Sequence, residues 1–390
     1  MSACVADRVV SHIHGEQSHL VELLRHMVDA ESPSSRPDSH RLIVSVLSEA
    51  LSDVGYRVTT TTAADAHKHI YACRETRPKN CRAQLLLGHY DTVWPLGTVA
   101  SRPFTVDGNI IRGPGVFDMK GGLAQIVFAL RTIRDLELPL PIEPVVFINS
   151  DEEIGSRTST RYVRALAKRV ERAFVLEPAM GEEGAIKTER KGVGRFTITV
   201  HGKAAHAGLD PEGGASAILE LSHVIQSMFA LNDTDKGITV NVGTIDGGLR
   251  PNVIAPHSQA VVDVRVPTVA DGERIEKAIH DLQPVTKGVR LSVTGGIGRP
   301  SMELTPRNRA LWKTAQTLGR EIGIELRHGR AGGASDGNTT SQYTATLDGL
   351  GPVGHGAHAE REFLYIDRTL ERTALLTLLL LSPGIDGTQP

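Results

Sequence analysis

Apolar residues recur at helical spacing in several stretches of the chain. Leu20, Leu23, Leu24, Met27 and Val28 predict one helix; Leu42, Ile43, Val46, Leu47, Ala50 and Leu51 predict a second that Gly55 closes. Leu123, Ile126, Val127, Leu130 and Ile133 predict a third, opened by Gly121-Gly122. Between them lie short unbroken apolar runs, the pattern of strands buried on both faces. These runs are Gln84–Leu87, ending at Gly88-His89; Pro144–Ile148, ending at Asn149-Ser150-Asp151; and Ala173–Leu176, ending at Glu177-Pro178. Strands alternating with helices predict a layered α/β domain, a mostly parallel sheet flanked by helices.

From Gly192 the period changes. Phe196, Ile198 and Val200 alternate with Arg195, Thr197, Thr199 and His201, and Val262, Val264 and Val266 alternate with Val261, Asp263 and Arg265. Such alternation marks strands with one solvated face. Ala217, Ile218, Leu221, Ile225 and Met228 predict a helix between them. After Pro300 helical spacing returns at Leu311, Ala315, Leu318 and Ile322, then at Leu370, Ala374 and Leu378. The expected organisation is a larger domain in two parts, 1–191 and 299–390, with a smaller α+β domain, 192–298, inserted in it.

Length supports that division, since 390 residues exceed one ordinary compact domain. Lys+Arg 43 against Asp+Glu 45 leaves a net charge of −2, with no basic excess for nucleic acid or an anionic membrane. The opening residues lack the apolar stretch of a secretory leader, and the apolar run near Leu375–Leu381 is too short to span a bilayer. The expected location is cytoplasmic. Cys4, Cys73 and Cys81 are an odd number without metal-ligand spacing, which reads as reduced thiols, the alternative being a Cys73–Cys81 bridge.

The acids and histidines fall in informative places. His89 and Asp91 follow the first buried strand, Asp118 lies in a Gly-rich loop before a helix, Asp151, Glu152 and Glu153 follow the second strand, and Glu177 follows the third. Ligands bind beyond the carboxyl ends of strands in open α/β sheets. One sheet edge therefore collects carboxylates and an imidazole that would repel unless cations join them. Mixed imidazole and carboxylate donors suit zinc, with manganese or cobalt as alternatives. Each feature alone has a plainer reading: His-X-Asp is common, and an acidic run after a strand often caps a helix. Their co-occurrence in order is the signal.

Gly88-His-Tyr-Asp-Thr-Val93, Gly113-Pro-Gly-Val-Phe-Asp-Met-Lys-Gly-Gly122, Ser150-Asp-Glu-Glu-Ile-Gly-Ser156, Glu177-Pro178, Gly202-Lys-Ala-Ala-His-Ala-Gly208 and His358-Ala-Glu-Arg-Glu-Phe363 together resemble the M20 metallopeptidases. Within them the resemblance is to the glutamate carboxypeptidase (carboxypeptidase G2-like) branch, with acetylornithine deacetylases and succinyl-diaminopimelate desuccinylases as relatives. It covers residues 20–380 or so. It implies a homodimer whose inserted domain is a lid and dimerisation module, and two zinc ions per subunit. His89, Asp118 and Glu177 would hold one ion, and Asp118, Glu153 and His358 the other. Asp91 would orient His89 through a ring N–H bond, and Glu152 would be the general base. His206 would reach the partner subunit's site and bind the scissile carbonyl; the plain alternative is a turn histidine between small residues. Asn252, Arg265 and Arg299 resemble contacts to the substrate carboxylate, and Gly332-Gly-Ala-Ser-Asp336 a loop at the substrate pocket. Arg265 could instead be a solvated strand position.

The chain also departs from the pattern. The stretch after the last histidine is Ala359-Glu360-Arg361, where the family more often has a Thr or Ser and a smaller residue. A second histidine, His355, sits three residues before His358. Spacing alone admits either as ligand, and motif position favours His358.

The expected activity is cleavage of an amide bond next to a free carboxylate in a small molecule or short peptide, releasing glutamate or a similar amino acid. The alternatives are N-acyl-amino-acid deacylation and, outside catalysis, an inactive metal-binding dimerisation protein. That last reading needs a missing base or ligand, and none is missing.

Overall fold

The computed structural model describes residues 3–63, 66–76 and 81–384. It divides into two compact units. The first holds the chain up to Thr188, Leu304–Arg330 and the stretch from Ser335 onward; the second holds Glu189–Glu303 and Ala331–Ala334. The strands of the two main sheets are, in chain order, β1 (Tyr56–Thr62), β2 (Lys68–Arg74), β3 (Ala83–His89), β4 (Glu143–Asn149), β5 (Arg172–Val175), β6 (Gly192–His201), β7 (Thr239–Gly247), β8 (His257–Val266), β9 (Arg290–Arg299) and β10 (Ala345–Leu347).

The first unit is built on a six-stranded sheet of order β1-β2-β4-β3-β5-β10. Only β2 runs against the others. Its central strands β3, β4 and β5 are apolar on both sides because both faces are covered. Leu86, Val146 and Phe174 join one core with the helices Gln17–Asp29, Arg41–Asp53, Gly121–Asp135 and Ile366–Leu381. Their neighbours Leu85, Leu87, Val145, Phe147, Ala173 and Val175 face the other way, toward Val163 of the helix Thr160–Ala167. The α/β expectation therefore holds, with one local exception. Leu42 is 58% exposed, because the helix buries the stripe Ile43, Leu47, Ala50 and Leu51 and turns its neighbour outward.

Parallel pairing brings the strand ends that carry acids to one edge. His89 lies opposite Asn149 in the β3–β4 register, and Leu87 opposite Val175 in the β3–β5 register. The chain continues from these ends into Asp91, Asp151–Glu153 and Glu177. Close packing behind the edge depends on Gly122, where an added Cβ would meet the Leu176 carbonyl oxygen at 2.1 Å.

The second unit is an antiparallel sheet of order β7-β8-β6-β9. Helices Ala217–Phe229 and Val269–His280 complete a βαββαβ unit. Phe196, Ile198, Val200, Val262, Val264 and Val266 pack against Leu221, Val224, Ile275 and Ile279. Ser216 and Thr268 cap the two helices, their side chains accepting from Leu219 N–H and Asp271 N–H. Ile218, expected on the buried face, is 48% exposed. It joins exposed Leu219 and Phe229 on the same helix and Ile245 and Leu249 at the β7 edge of the sheet. Among the described residues no helix is long and apolar enough to cross a membrane, and all three cysteines are free thiols.

Candidate metal centre

At the end of β3 the backbone delivers His89 into the first unit, 1% exposed. Its Nδ1 lies 2.9 Å from the carbonyl oxygen of Asp91. A carbonyl only accepts, so Nδ1 carries a proton and Nε2 is the nitrogen left to turn toward a cation. That Nε2 faces Asp118 Oδ1 at 3.4 Å and Glu177 Oε1 at 3.6 Å. Neither His89 Nε2 nor Asp118 Oδ1 has a hydrogen-bond partner, though both are buried. Carboxylates gathered around one buried imidazole repel one another, and a shared cation removes the repulsion.

The other oxygen of Asp118, Oδ2, faces Nε2 of His358 at 3.5 Å. The same Nε2 lies 2.9 Å from Glu153 Oε2. Asp118 thus stands between two imidazoles, one oxygen toward each. His358 takes a positive φ of 60°, next to Gly356 at 87°, in a tight loop where Ala359 N–H donates to the Gly356 carbonyl. His355, the competing histidine, is exposed on a short strand paired with Phe363.

The three acids after β4 have separate fates. Asp151 is buried and accepts from Thr158 N–H at 2.6 Å, Thr158 Oγ1 at 2.8 Å and Ser159 N–H at 3.3 Å. The carboxylates of Glu152 and Glu153 form separate clusters with His89: ligand atoms of His89, Glu152 and Glu177 lie within 4.8 Å of one another, as do those of His89, Asp118 and Glu153. Asp91 fixes this fork from behind. Its Oδ1 accepts from Glu152 N–H at 3.1 Å, and its Oδ2 from Glu153 N–H at 3.2 Å and Ser34 Oγ at 2.7 Å. The expected ring bond from His89 therefore goes mainly to the Asp91 main chain, the carboxylate standing off at 3.5 Å while it serves the fork.

Charge in the cluster favours added positive charge. Burial alone would lower the His89 imidazole, but Asp118, Asp91 and Glu177 hold it well above its ordinary value. The contact with Glu153 raises His358 to about 9. Burial pushes Glu153 up to about 7. Asp118 and Asp91 stay below the usual carboxylate range, because His89 and their other partners outweigh their burial. The donor set, the orphaned atoms and this electrostatic demand fit divalent cations.

Several positioning groups carry no periodic signal. Glu362 is 1% exposed and accepts from Phe117 N–H at 2.9 Å and Asp118 N–H at 3.1 Å through Oε1, and from Gly115 N–H at 2.9 Å through Oε2. Lys120 is buried and donates to the Met27 carbonyl at 2.8 Å; burial lowers its pKa to about 8. Asp336, expected near substrate, points inward and accepts from Asn149 and from Ser156 Oγ, bracing the turn that carries Glu152. Glu362 and Lys120 lie inside the quoted motifs, but only the folded backbone shows what they hold.

The remaining candidates lie in the second unit. His206 is exposed, and its Nδ1 accepts from Gly208 N–H and Leu209 N–H, each at 3.2 Å. Its Nε2 is therefore the protonated nitrogen and an outward donor. Asn252, also exposed, is its neighbour: its carbonyl accepts from Ala207 N–H at 3.0 Å. Arg265 and Arg299 flank Val193 in register from β8 and β9, which sets them on one face of the sheet. Arg265 is paired with Asp263 through Nε at 2.8 Å and Nη2 at 3.1 Å.

Residues 188–283 match the M20 peptidase dimerisation domain. The chain is 26% identical to carboxypeptidase G2 of Pseudomonas sp. (strain RS-16) over 384 residues, covering 95% of this chain and 90% of that one. It is 31% identical to acetylornithine deacetylase of Myxococcus xanthus over 218 residues, covering 52% and 54%. Among solved structures, aminopeptidase PepT of Bacillus cereus shares the fold with a TM-score of 0.75 at 21% identity, covering 94% of this chain and 98% of that one. An M20 family metallo-carboxypeptidase of Sulfolobus solfataricus gives 0.69 at 16%, covering 94% and 98%.

Proposed function

We propose that the chain is an M20-type dinuclear zinc exopeptidase that cuts an amide bond next to a free carboxylate and releases glutamate or a similar amino acid, a reading that its similarity to carboxypeptidase G2 and its match to the M20 dimerisation domain support. The observation that carries this reading is Asp118 between two imidazoles, Oδ1 at 3.4 Å from His89 and Oδ2 at 3.5 Å from His358. His89, Asp118 and Glu177 would hold one ion, and Asp118, Glu153 and His358 the other. When bound, the ions supply Lewis acidity and make a water acidic near neutral pH.

The chain's own groups do the rest. Glu152, buried beside His89 and Glu177, takes the proton of the attacking water and returns it to the leaving nitrogen. Asp91 keeps Glu152 and Glu153 pointing apart. The exposed Nε2–H of His206 of the partner subunit donates to the scissile carbonyl, stabilising the charge that develops there. Arg265 binds the substrate carboxylate with Asn252 and Arg299; with Nε and Nη2 committed to Asp263, Arg265 offers Nη1. The dimer forms through the apolar patch around Ile218, Phe229 and Ile245 in the second unit. Three free thiols support a cytoplasmic enzyme.

A second reading keeps the same centre and changes the pocket. The similarity to acetylornithine deacetylase supports removal of an acyl group from an N-acyl amino acid. One experiment separates the two: zinc-loaded protein is assayed against acyl-glutamates, dipeptides and N-acetyl or N-succinyl amino acids, with metal content measured in parallel. Release of glutamate with two zinc ions bound supports the first reading. Turnover confined to N-acetyl or N-succinyl substrates moves the assignment to the second. Absence of bound metal from an active enzyme overturns both.

A further inference from the structure

The carboxylate of Glu362 accepts from four donors on two segments of the first unit. Oε1 takes Phe117 N–H at 2.9 Å and Asp118 N–H at 3.1 Å; Oε2 takes Gly115 N–H at 2.9 Å and Trp94 Nε1–H at 3.0 Å. Trp94 follows His89 and Asp91 in the chain, and the Gly115–Asp118 turn ends on Asp118 itself. Glu362 also belongs to the loop that presents His358. A second clamp reinforces the first: the Arg102 guanidinium lies 4.2 Å over the Trp94 ring and donates to the Glu360 carbonyl at 2.7 Å.

We propose that Glu362 is a positioning residue for the second metal site, setting the spacing of Asp118 and His358 by tying the main chain of one to the loop of the other. The inference rests on the two-ion reading above. Four donors converge on one side chain, and a carboxylate offers acceptors alone. Glutamine cannot replace it, because either orientation of the amide turns an NH2 group toward two N–H donors. A buried acceptor exchanged for a donor leaves those groups unsatisfied and moves the turn. Residues outside the ligand shell that orient ligands commonly change metal affinity about 10–100-fold when replaced.

The test titrates metal-free wild type, Glu362→Gln and Glu362→Asp with Co2+, reading the visible absorption of each equivalent, with far-UV circular dichroism on the metal-free proteins. In Glu362→Gln the second equivalent should bind about 10–100-fold more weakly, with the first less affected. Glu362→Asp, an acceptor-only head on a shorter stem, should recover part of that loss. Wild-type affinity for both equivalents in folded Glu362→Gln overturns the proposal, as does an equal weakening of both equivalents. Should Glu362→Gln fail to fold, Glu362→Asp decides: a weakened second equivalent supports the proposal, and wild-type affinity overturns it. Failure of both variants to fold would make Glu362 a residue of the fold alone and overturn it too. A wild-type protein that takes up one equivalent strikes the two-ion reading itself, a result distinct from unaltered binding in the variants.

Discussion

Asp151, Glu152 and Glu153 are chemically near-identical neighbours, and nothing in their order says which is spent on structure. The answer lies in the partners that each one meets in the fold: Thr158 and Ser159 consume Asp151, while the Asp91 carboxylate holds the two glutamates by their main-chain N–H groups. Glu152→Gln leaves that fork intact, so bound metal should match wild type while turnover falls about 10²–10⁴-fold. Metal analysis beside kcat checks it, and an active Glu152→Gln enzyme would remove Glu152 as base. The site also carries a pH signature. In the metal-free protein His358 is raised to about 9, so the stability that its proton contributes is present below its ordinary value near 6.5 and is lost as pH rises toward 9, while burial lifts Glu153 to about 7, so that the charged pair itself is complete only between about 7 and 9. Cations compete with that proton, so zinc affinity should rise over the same window while the metal-free protein loses stability. Calorimetry in buffers of different ionisation enthalpy should show proton release on zinc binding at pH 7, and none would contradict the charge state of His358. The metal candidates were legible because each sits at a strand end or in a Gly-rich turn. Ser34, Lys120 and Glu362 were not, because their partners are groups far off in the sequence that only folding brings near.

At the scale of elements, the long apolar runs and helical stripes gave the layers, and the Leu42 and Ile218 exceptions arise because a pattern tolerates one extra apolar residue at the rim. Short strands such as Thr105–Asp107 and Gly354–His355 are too brief for any periodicity. Gly121-Gly122 read only as a helix start; in the folded unit Gly122 is where that helix touches the strand leading to Glu177. Gly122→Ala places a methyl 2.1 Å from the Leu176 oxygen and should cost about 1–3 kcal/mol of stability, with weaker binding of the ion held by Glu177. Gly298→Ala meets nothing within 4 Å and should stay within about 0.5 kcal/mol of wild type. Thermal melts with metal titration compare the pair, and equal melting of both variants would remove the packing argument.

At the scale of the molecule, the change of period at Gly192 falls near the start of the second unit, which spans Glu189–Glu303 rather than 192–298 and takes back 331–334, a return without any periodic signal. The exposed Ile245 lies on an edge strand, and Ile245→Lys should turn the proposed dimer into monomer. Sedimentation at micromolar concentration reads this, and a dimer that survives would place the interface elsewhere. Mixing Glu152→Gln with His206→Ala subunits under exchange should restore part of the activity, since one site of each mixed dimer has both groups; none despite proven exchange would confine His206 to its own subunit. The discontinuity of the first unit has a temporal side as well. His89, Asp118, Glu152, Glu153 and Glu177 are all synthesised before residue 189, whereas His358 and Glu362 emerge only after the insertion is complete. A ribosome therefore finishes the proposed ligand set of one ion before the insertion and that of the other only after it. Chains that stall within the insertion lack His358 and with it a complete pair of ions, so the proposed two-ion chemistry is withheld from truncated products.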